Sequence, residues 1–148
     1  MTSNMRTRFR PDPTRLACVI GLCAMLQLVP ALAQDQGGPN GGSVANATFT
    51  SGISDGEPVD YRQDFDRNTP TIYYYTEVLD LHGQTIHHRW KLQGKVMQDV
   101  AIPVRRSREG VWSKSSMQPE WTGNWTVEVV NGRGEVIEVD NFAYSPAD

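Results

Sequence analysis

The sequence predicts an all-β fold: an immunoglobulin-like antiparallel β-sandwich of about seven strands, with a small β-barrel as the alternative. Three observations carry this reading. Short runs rich in β-branched and aromatic residues alternate in polarity, turn residues break them at close intervals, and no segment sustains helical periodicity over more than two turns.

The strands follow in order. Residues 44–53 place Ala47, Phe49 and Ile53 on one face, and Ser54-Asp55-Gly56-Glu57-Pro58 ends the run. Residues 71–80 (TIYYYTEVLD) are the densest in strand formers. His82-Gly83 turns the chain into 85–92, where Ile86, His88, Trp90 and Leu92 alternate with polar residues. After Gly94, residues 96–104 put Val96, Val100, Ile102 and Val104 on one side, and an arginine-rich loop leads to a shorter strand at 111–117. Residues 124–130 set Trp125, Val127 and Val129 on one face. Asn131-Gly132 is a hairpin signal for a type I′ turn, since that turn needs positive φ at both central residues. The return strand, about 135–144, slips phase between Val139 and Phe142, which predicts a bulge near Asp140-Asn141.

The first third of the chain has a different character. Arg6, Arg8, Arg10 and Arg15 precede a nearly unbroken apolar run, 16–29, and then Pro30-Ala31-Leu32-Ala33. Charged start, apolar stretch and small-residue exit are the parts of a bacterial secretory signal peptide, expected to span residues 1–33 with cleavage near Ala33. The apolar run is shorter than the roughly 20 residues of a membrane-spanning helix, so contact with the membrane is expected only through an uncleaved signal. Residues 34–43 read as a flexible polar linker and 44–148 as a single domain. The expected location is periplasmic or secreted. Both cysteines, Cys18 and Cys23, fall within the signal, so the exported domain must hold together without disulfides.

Charge sets further limits. The whole chain carries 14 basic and 17 acidic residues; after position 33 there remain ten basic and sixteen acidic, net −6. That balance excludes a general nucleic-acid binder, which presents a basic face. Arg105, Arg106 and Arg108 form a local basic cluster that reads as solvated loop charge.

The residues offer few chemical signatures. Phosphate loops, nucleophile elbows and zinc-protease motifs are missing. His87 and His88 point to opposite faces of a strand, so with His82 they make a poor zinc site, and neither metal nor cofactor is expected. If the connection after Asp80 is a hairpin with an even loop, Asp80 pairs with Thr85 and Glu77 faces His88. That pair reads either as a general base with its orienting partner or as a buried pin for strand register. An odd loop sets Thr76 opposite His88 instead. Trp90 and Trp125 are in phase with the core, whereas Trp112 and Trp121 flank Ser113-Lys114-Ser115-Ser116 and are placed for partial exposure beside hydrogen-bonding groups.

Taken together, several short motifs resemble one bacterial family, the domain of unknown function 2914. They are Ala47-x-Phe49-Thr50-x-Gly52-Ile53 with Glu57-Pro58, Tyr74-Tyr75-Thr76-Glu77-Val78, Gly83, His88-Arg89-Trp90, Trp112-Ser113-Lys114-Ser115, and Gly123-x-Trp125-x-Val127 with Gly134 and Phe142. The resemblance implies an exported or membrane-attached β-rich domain without an assigned activity. It marks Glu77, His88, Arg89, Trp90 and Lys114 as site candidates, to which the tryptophan pattern adds Trp112, Ser113 and Trp121. The expected function is an exported, non-enzymatic binding or interaction module of the cell envelope, its partner an unknown envelope protein or glycan. A carbohydrate- or peptidoglycan-contacting module is the alternative, and an enzyme using Glu77 and His88 is the third reading.

Overall fold

A computed structural model of the protein describes residues 41–146. The expected signal peptide and residues 34–40 lie outside the described residues. Ten strands are formed among the described residues: β1 (Ser43–Thr50), β2 (Ile53–Ser54), β3 (Glu57–Pro58), β4 (Asp64–Asp66), β5 (Thr71–Leu79), β6 (Thr85–Leu92), β7 (Lys95–Pro103), β8 (Arg108–Ser116), β9 (Gly123–Val130) and β10 (Val136–Ser145).

Seven of these strands are long, and they build an open sandwich. One sheet has the order β1-β5-β8 and the other β4-β10-β9-β6-β7. Chain segments cross between sheets from β5 to β6, β7 to β8 and β8 to β9, whereas β6–β7 and β9–β10 are hairpins within one sheet. The N-terminal strands serve both layers: β1 pairs antiparallel with β5, and β4 runs parallel to β10. This order is that of an immunoglobulin-like sandwich, and no closed barrel forms among the described strands.

The alternation of side chains explains the core. Phe49, Tyr74, Trp90, Trp125 and Phe142 are all nearly sealed from solvent. Phe142 lies 4.7 Å from Phe49, 6.0 Å from Trp90 and 5.8 Å from Trp125, the last ring stacked almost parallel. Aromatic contacts at these separations add to the area buried. Beside sheet one, Asp60 fastens the 51–60 loop to β1 by accepting hydrogen bonds from Thr50 Oγ1, Ser51 N and Ser51 Oγ. Burial pushes its carboxyl upward, but these bonds and nearby Arg62 outweigh it and hold the pKa below the usual value.

Several local expectations are corrected. Between β5 and β6 there is no hairpin, because Leu81–Gln84 carries the chain from one sheet to the other. The inner face of β5 consequently holds Ile72, Tyr74, Thr76 and Val78 rather than Tyr73, Tyr75, Glu77 and Leu79. Val96 is 48% exposed because a register shift between Trp90 and Lys91 reverses the phase of β7. In β10 the irregularity falls between Val136 and Glu138, so it sits at Ile137 and not near Asp140-Asn141. Gly41 and Gly42, at the end of the stretch read as linker, are buried, and Gly41 O accepts a hydrogen bond from Asn131 Nδ2.

The Asn131-Gly132 signal marks the right hairpin but the wrong turn. Asn131 N–H bonds to Glu135 O, Gly134 N–H bonds to Asn131 O, and positive φ falls on Gly134 at 82°. That is a three-residue loop closed by a left-handed glycine. The Asn131 side chain supports it by accepting from the amides of Arg133 and Glu135. A Cβ at Gly134 would meet no atom within 4 Å, so Gly134→Ala should carry backbone strain alone and cost about 1 kcal/mol in urea unfolding. Phe142→Ala should cost about 3–5 kcal/mol by the same measurement.

Candidate functional site

Two groups of polar residues stand out, one sealed in the core and one on an open side. The sealed group begins with His88, which β6 aims inward between Ile86 and Trp90. Its Nε2 lies 3.1 Å from Thr76 Oγ1 on β5, and its Nδ1 lies 2.9 Å from Ser113 Oγ on β8. Trp90 Nε1 donates to the same Ser113 oxygen at 3.0 Å, and the Tyr74 ring meets the imidazole edge-on at 5.0 Å. Three strands from both sheets thus meet on one imidazole. A neutral ring has one donor and one acceptor nitrogen, which suits two hydroxyls that can each play either part. No charged group takes part, and burial drives the His88 pKa down to about 3.

Glu77 does not join this group. It lies on the outer face of the β1-β5-β8 sheet and accepts a hydrogen bond from Arg108 Nε at 2.5 Å. The Glu77–His88 pair expected from an even hairpin loop therefore does not form, and Thr76 is the partner of His88. Arg89 occupies the outer face of the other sheet, where it contacts Asp99 at 3.1 Å and Glu128 at 3.7 Å. Lys91 extends the ladder by its ion pair with Glu128, and His87 Nδ1 is within hydrogen-bond distance of Asp99 Oδ1. The triplet His88-Arg89-Trp90 thus alternates inward, outward, inward, as a strand requires.

The open group lies where the edge strands β7 and β8 of the two sheets face each other. A cleft of about 1050 Å³ runs along β8, lined among others by Tyr73, Gln98, Trp112, Lys114 and Trp121, with Ile53 from the β2 strand at its rim. Trp112 is 43% exposed, and Trp121 is half-buried against Trp125 at 6.0 Å. On β8 the side chains of Trp112, Lys114 and Ser116 face out while Val111, Ser113 and Ser115 are buried. Gln98 Nε2 crosses from β7 to donate to Lys114 O at 3.2 Å. Aromatic faces beside amide, hydroxyl and ammonium groups suit binding by stacking and hydrogen bonding.

The structure therefore distributes the sequence-predicted candidates over three places. Trp112, Lys114 and Trp121 gather at the cleft, whereas the side chain of Ser113 points inward and meets His88 and Trp90 in the core. Glu77 and Arg89 stand apart on opposite outer faces. Sequence reasoning gave Thr76 as the partner of His88 only for an odd loop, and it missed Tyr73 and Gln98. The signal for Thr76 was its phase with Ile72, Tyr74 and Val78, which marks it as inward-facing.

The buried imidazole has a measurable consequence. Its folded pKa lies below the unfolded value of 6.5, so the unfolded chain binds more protons between about pH 6.5 and 3. Stability from this source is complete above that window and falls with acid by up to about 1.4 kcal/mol per unit. Between about pH 7.5 and pH 5, the wild type should lose about 2 kcal/mol more than His88→Gln in urea unfolding.

No curated protein matches the chain. Among solved structures it is similar to the CARDB domain of the PF1109 protein from Pyrococcus furiosus, solved in complex with di-metal ions. The identity is 9%, the TM-score 0.41, and the alignment covers 69% of this chain and 94% of that one. The fold assignment rests on the strand order and pairings described above. Residues 83–144, from the corner after β5 to the end of β10, match the model of the family described as "Protein of unknown function (DUF2914)". The motifs upstream of Gly83 lie outside that match, which spans 62 of the 148 residues.

Proposed function

We propose that the protein is a non-catalytic interaction module of the bacterial cell envelope that holds its partner against β8. The observation that carries this reading is the cleft of about 1050 Å³ where both sheets end in edge strands, with Trp112 half-exposed in its wall. Tryptophan in a concave, partly desolvated setting is a common energetic anchor of interfaces. The signal-like residues 1–33 support placement in the envelope. A catalytic use of Glu77 with His88 is disfavoured by geometry, since Glu77 lies on the outer face of one sheet and His88 beneath its inner face.

A second reading, contact with a glycan, draws on the same wall. Tyr73 and Trp112 lie near Lys114 and Ser116, a combination that can stack on sugar rings and bond their hydroxyls.

Photocrosslinking in envelope extract tests the module reading. A crosslinking residue in place of Trp112 should yield discrete adducts, and one in place of the exposed Asn141 on the other sheet should not. Adducts from both positions, or from neither, would contradict the assignment of the binding face.

A further inference from the structure

We infer that the occupant of this face is an extended, acidic polypeptide segment that adds to β8 as a fourth strand of the β1-β5-β8 sheet. The inference rests on the preceding reading of the β8 side as the binding face.

The edges of the two sheets are not equivalent. β1 carries a register shift between Val44 and Asn46 and is covered by the following segment, where Arg62 N–H bonds to Phe49 O. β4 has only three residues. β7 carries its own register shift, and its Pro103 brings no N–H to the open side. Val104 bonds through both N and O to the 83–84 corner, which sets Pro103 toward the outer edge. Short length, bulges, proline and covering segments are the devices that keep sheet edges from pairing. Among the described residues, β8 is the long edge without any of them: nine residues, in unbroken register with β5.

The free hydrogen-bonding groups of β8 can be named. Met117 N–H bonds back to Pro70 O on the β5 side, while Lys114 O accepts from Gln98 on the other. In an antiparallel pair this parity turns Gly110, Trp112, Lys114 and Ser116 toward the open edge. The Gln98 amide already bonds Lys114 O as the N–H of a fourth strand would.

Charge selects the occupant. Of the ten lysines and arginines beyond residue 33, Arg89, Lys91, Arg108 and Arg133 contact carboxylates. Arg62 lies over the Phe65 ring and Arg67 bonds Pro119 O. The remaining four, Lys95, Arg105, Arg106 and Lys114, have no ion pair among the described residues, and all belong to β7, β8 or the loop between them. In the cleft lining Lys114 stands with one carboxylate, Asp55, and Glu109 on β8 accepts from the backbone amides of Arg105 and Arg106, leaving their guanidinium groups without an ion pair. A second copy of the chain would bring the same cations together across the edge, whereas an acidic strand would meet them with opposite charge. Residues of the incoming strand directly opposite Trp112 and Lys114 would carry the specificity, an apolar group beside the first and a carboxylate beside the second.

The test uses a synthetic peptide of about ten residues, matched to a strand's length, with threonine at every second position and valine and glutamate taking turns between, so that one face can set valine beside Trp112 and glutamate beside Lys114. Three companions accompany it: a valine–lysine peptide, the acidic peptide N-methylated on its bonding edge, and polygalacturonate as an acidic glycan. Amide exchange by NMR on the domain, with probes up to millimolar concentration, gives the readout. The acidic peptide should slow exchange at Gly110, Trp112, Lys114 and Ser116 by about tenfold or more, and neither the lysine nor the N-methylated peptide should do so. Lys114→Glu should weaken the acidic peptide and favour the lysine one. Binding without protection of these amides, or equal binding of the N-methylated peptide, would overturn strand addition. Protection that grows with protein concentration alone would assign the edge to a second copy, and β8 shifts caused only by polygalacturonate would assign it to a glycan; either overturns the inference. If no probe acts but Trp112 still crosslinks in extract, the inference falls and the binding face stands; if both fail, both fall.

Discussion

The imidazole of His88 is the buried point at which the two sheets are tied by more than packing, with Tyr74 Oη to Asp140 and Gln98 Nε2 to Lys114 O joining them nearer the surface. Its nitrogens reach Thr76 on β5 and Ser113 on β8, and Ser113 also receives the indole N–H of Trp90. Burying these groups without partners would cost several kcal/mol, and each is paired, as are all buried side-chain polar atoms among the described residues. A fully satisfied network of this kind favours one arrangement of strands over others of similar apolar packing. Its consequence is greatest for β8, which has a strand partner on one side only. Ser113 ties the middle of that strand to the opposite sheet. Gly110 lies against the hydroxyl of Tyr75, where a Cβ would come within 2.4 Å. β8 is thereby held straight and in register while its outer edge stays open.

Much of the fold was legible because alternation reports burial directly. The strands at 71–80, 85–92 and 124–130 lie within a residue or so of their observed limits, and Trp90 and Trp125 are in the core as their phase requires. What could not be read was which strand lies beside which. Period-two alternation gives the face of a residue but says nothing of whether the next connection stays in a sheet or crosses to the other. The corner at Leu81–Gln84 crosses, and the expected register of Glu77 against His88 disappears with it. Turn chemistry was similarly half-legible. Asn131 and two nearby glycines announce a hairpin, but the side chain of Asn131 accepts two amides and moves the left-handed residue to Gly134.

The candidate site was legible by residue type more than by role. Trp112 and Lys114 were chosen for their setting in a polar stretch, and they face the cleft. Ser113, chosen with them, points the other way, because neighbours on a strand take opposite faces. Its role is in the core network. Glu77 and Arg89 were marked by family resemblance and are held in surface ion pairs on different sheets, where exposed pairs contribute little stability. The open edge of β8 had no signature in sequence at all. It follows from the absence of a bulge, a proline or a covering segment, and these can be compared between strands only once the sheet order is known.

Native-state amide exchange on the domain alone tests most directly the claim that β8 is held in place as an open edge. Val111, Ser113 and Ser115 should exchange slowly through their bonds to β5, and Gly110, Trp112, Lys114 and Ser116 should exchange quickly, in strict alternation. Slow exchange at every residue of β8 would show that the edge is already covered, and fast exchange at every residue would show that the strand is not held; either pattern contradicts the account.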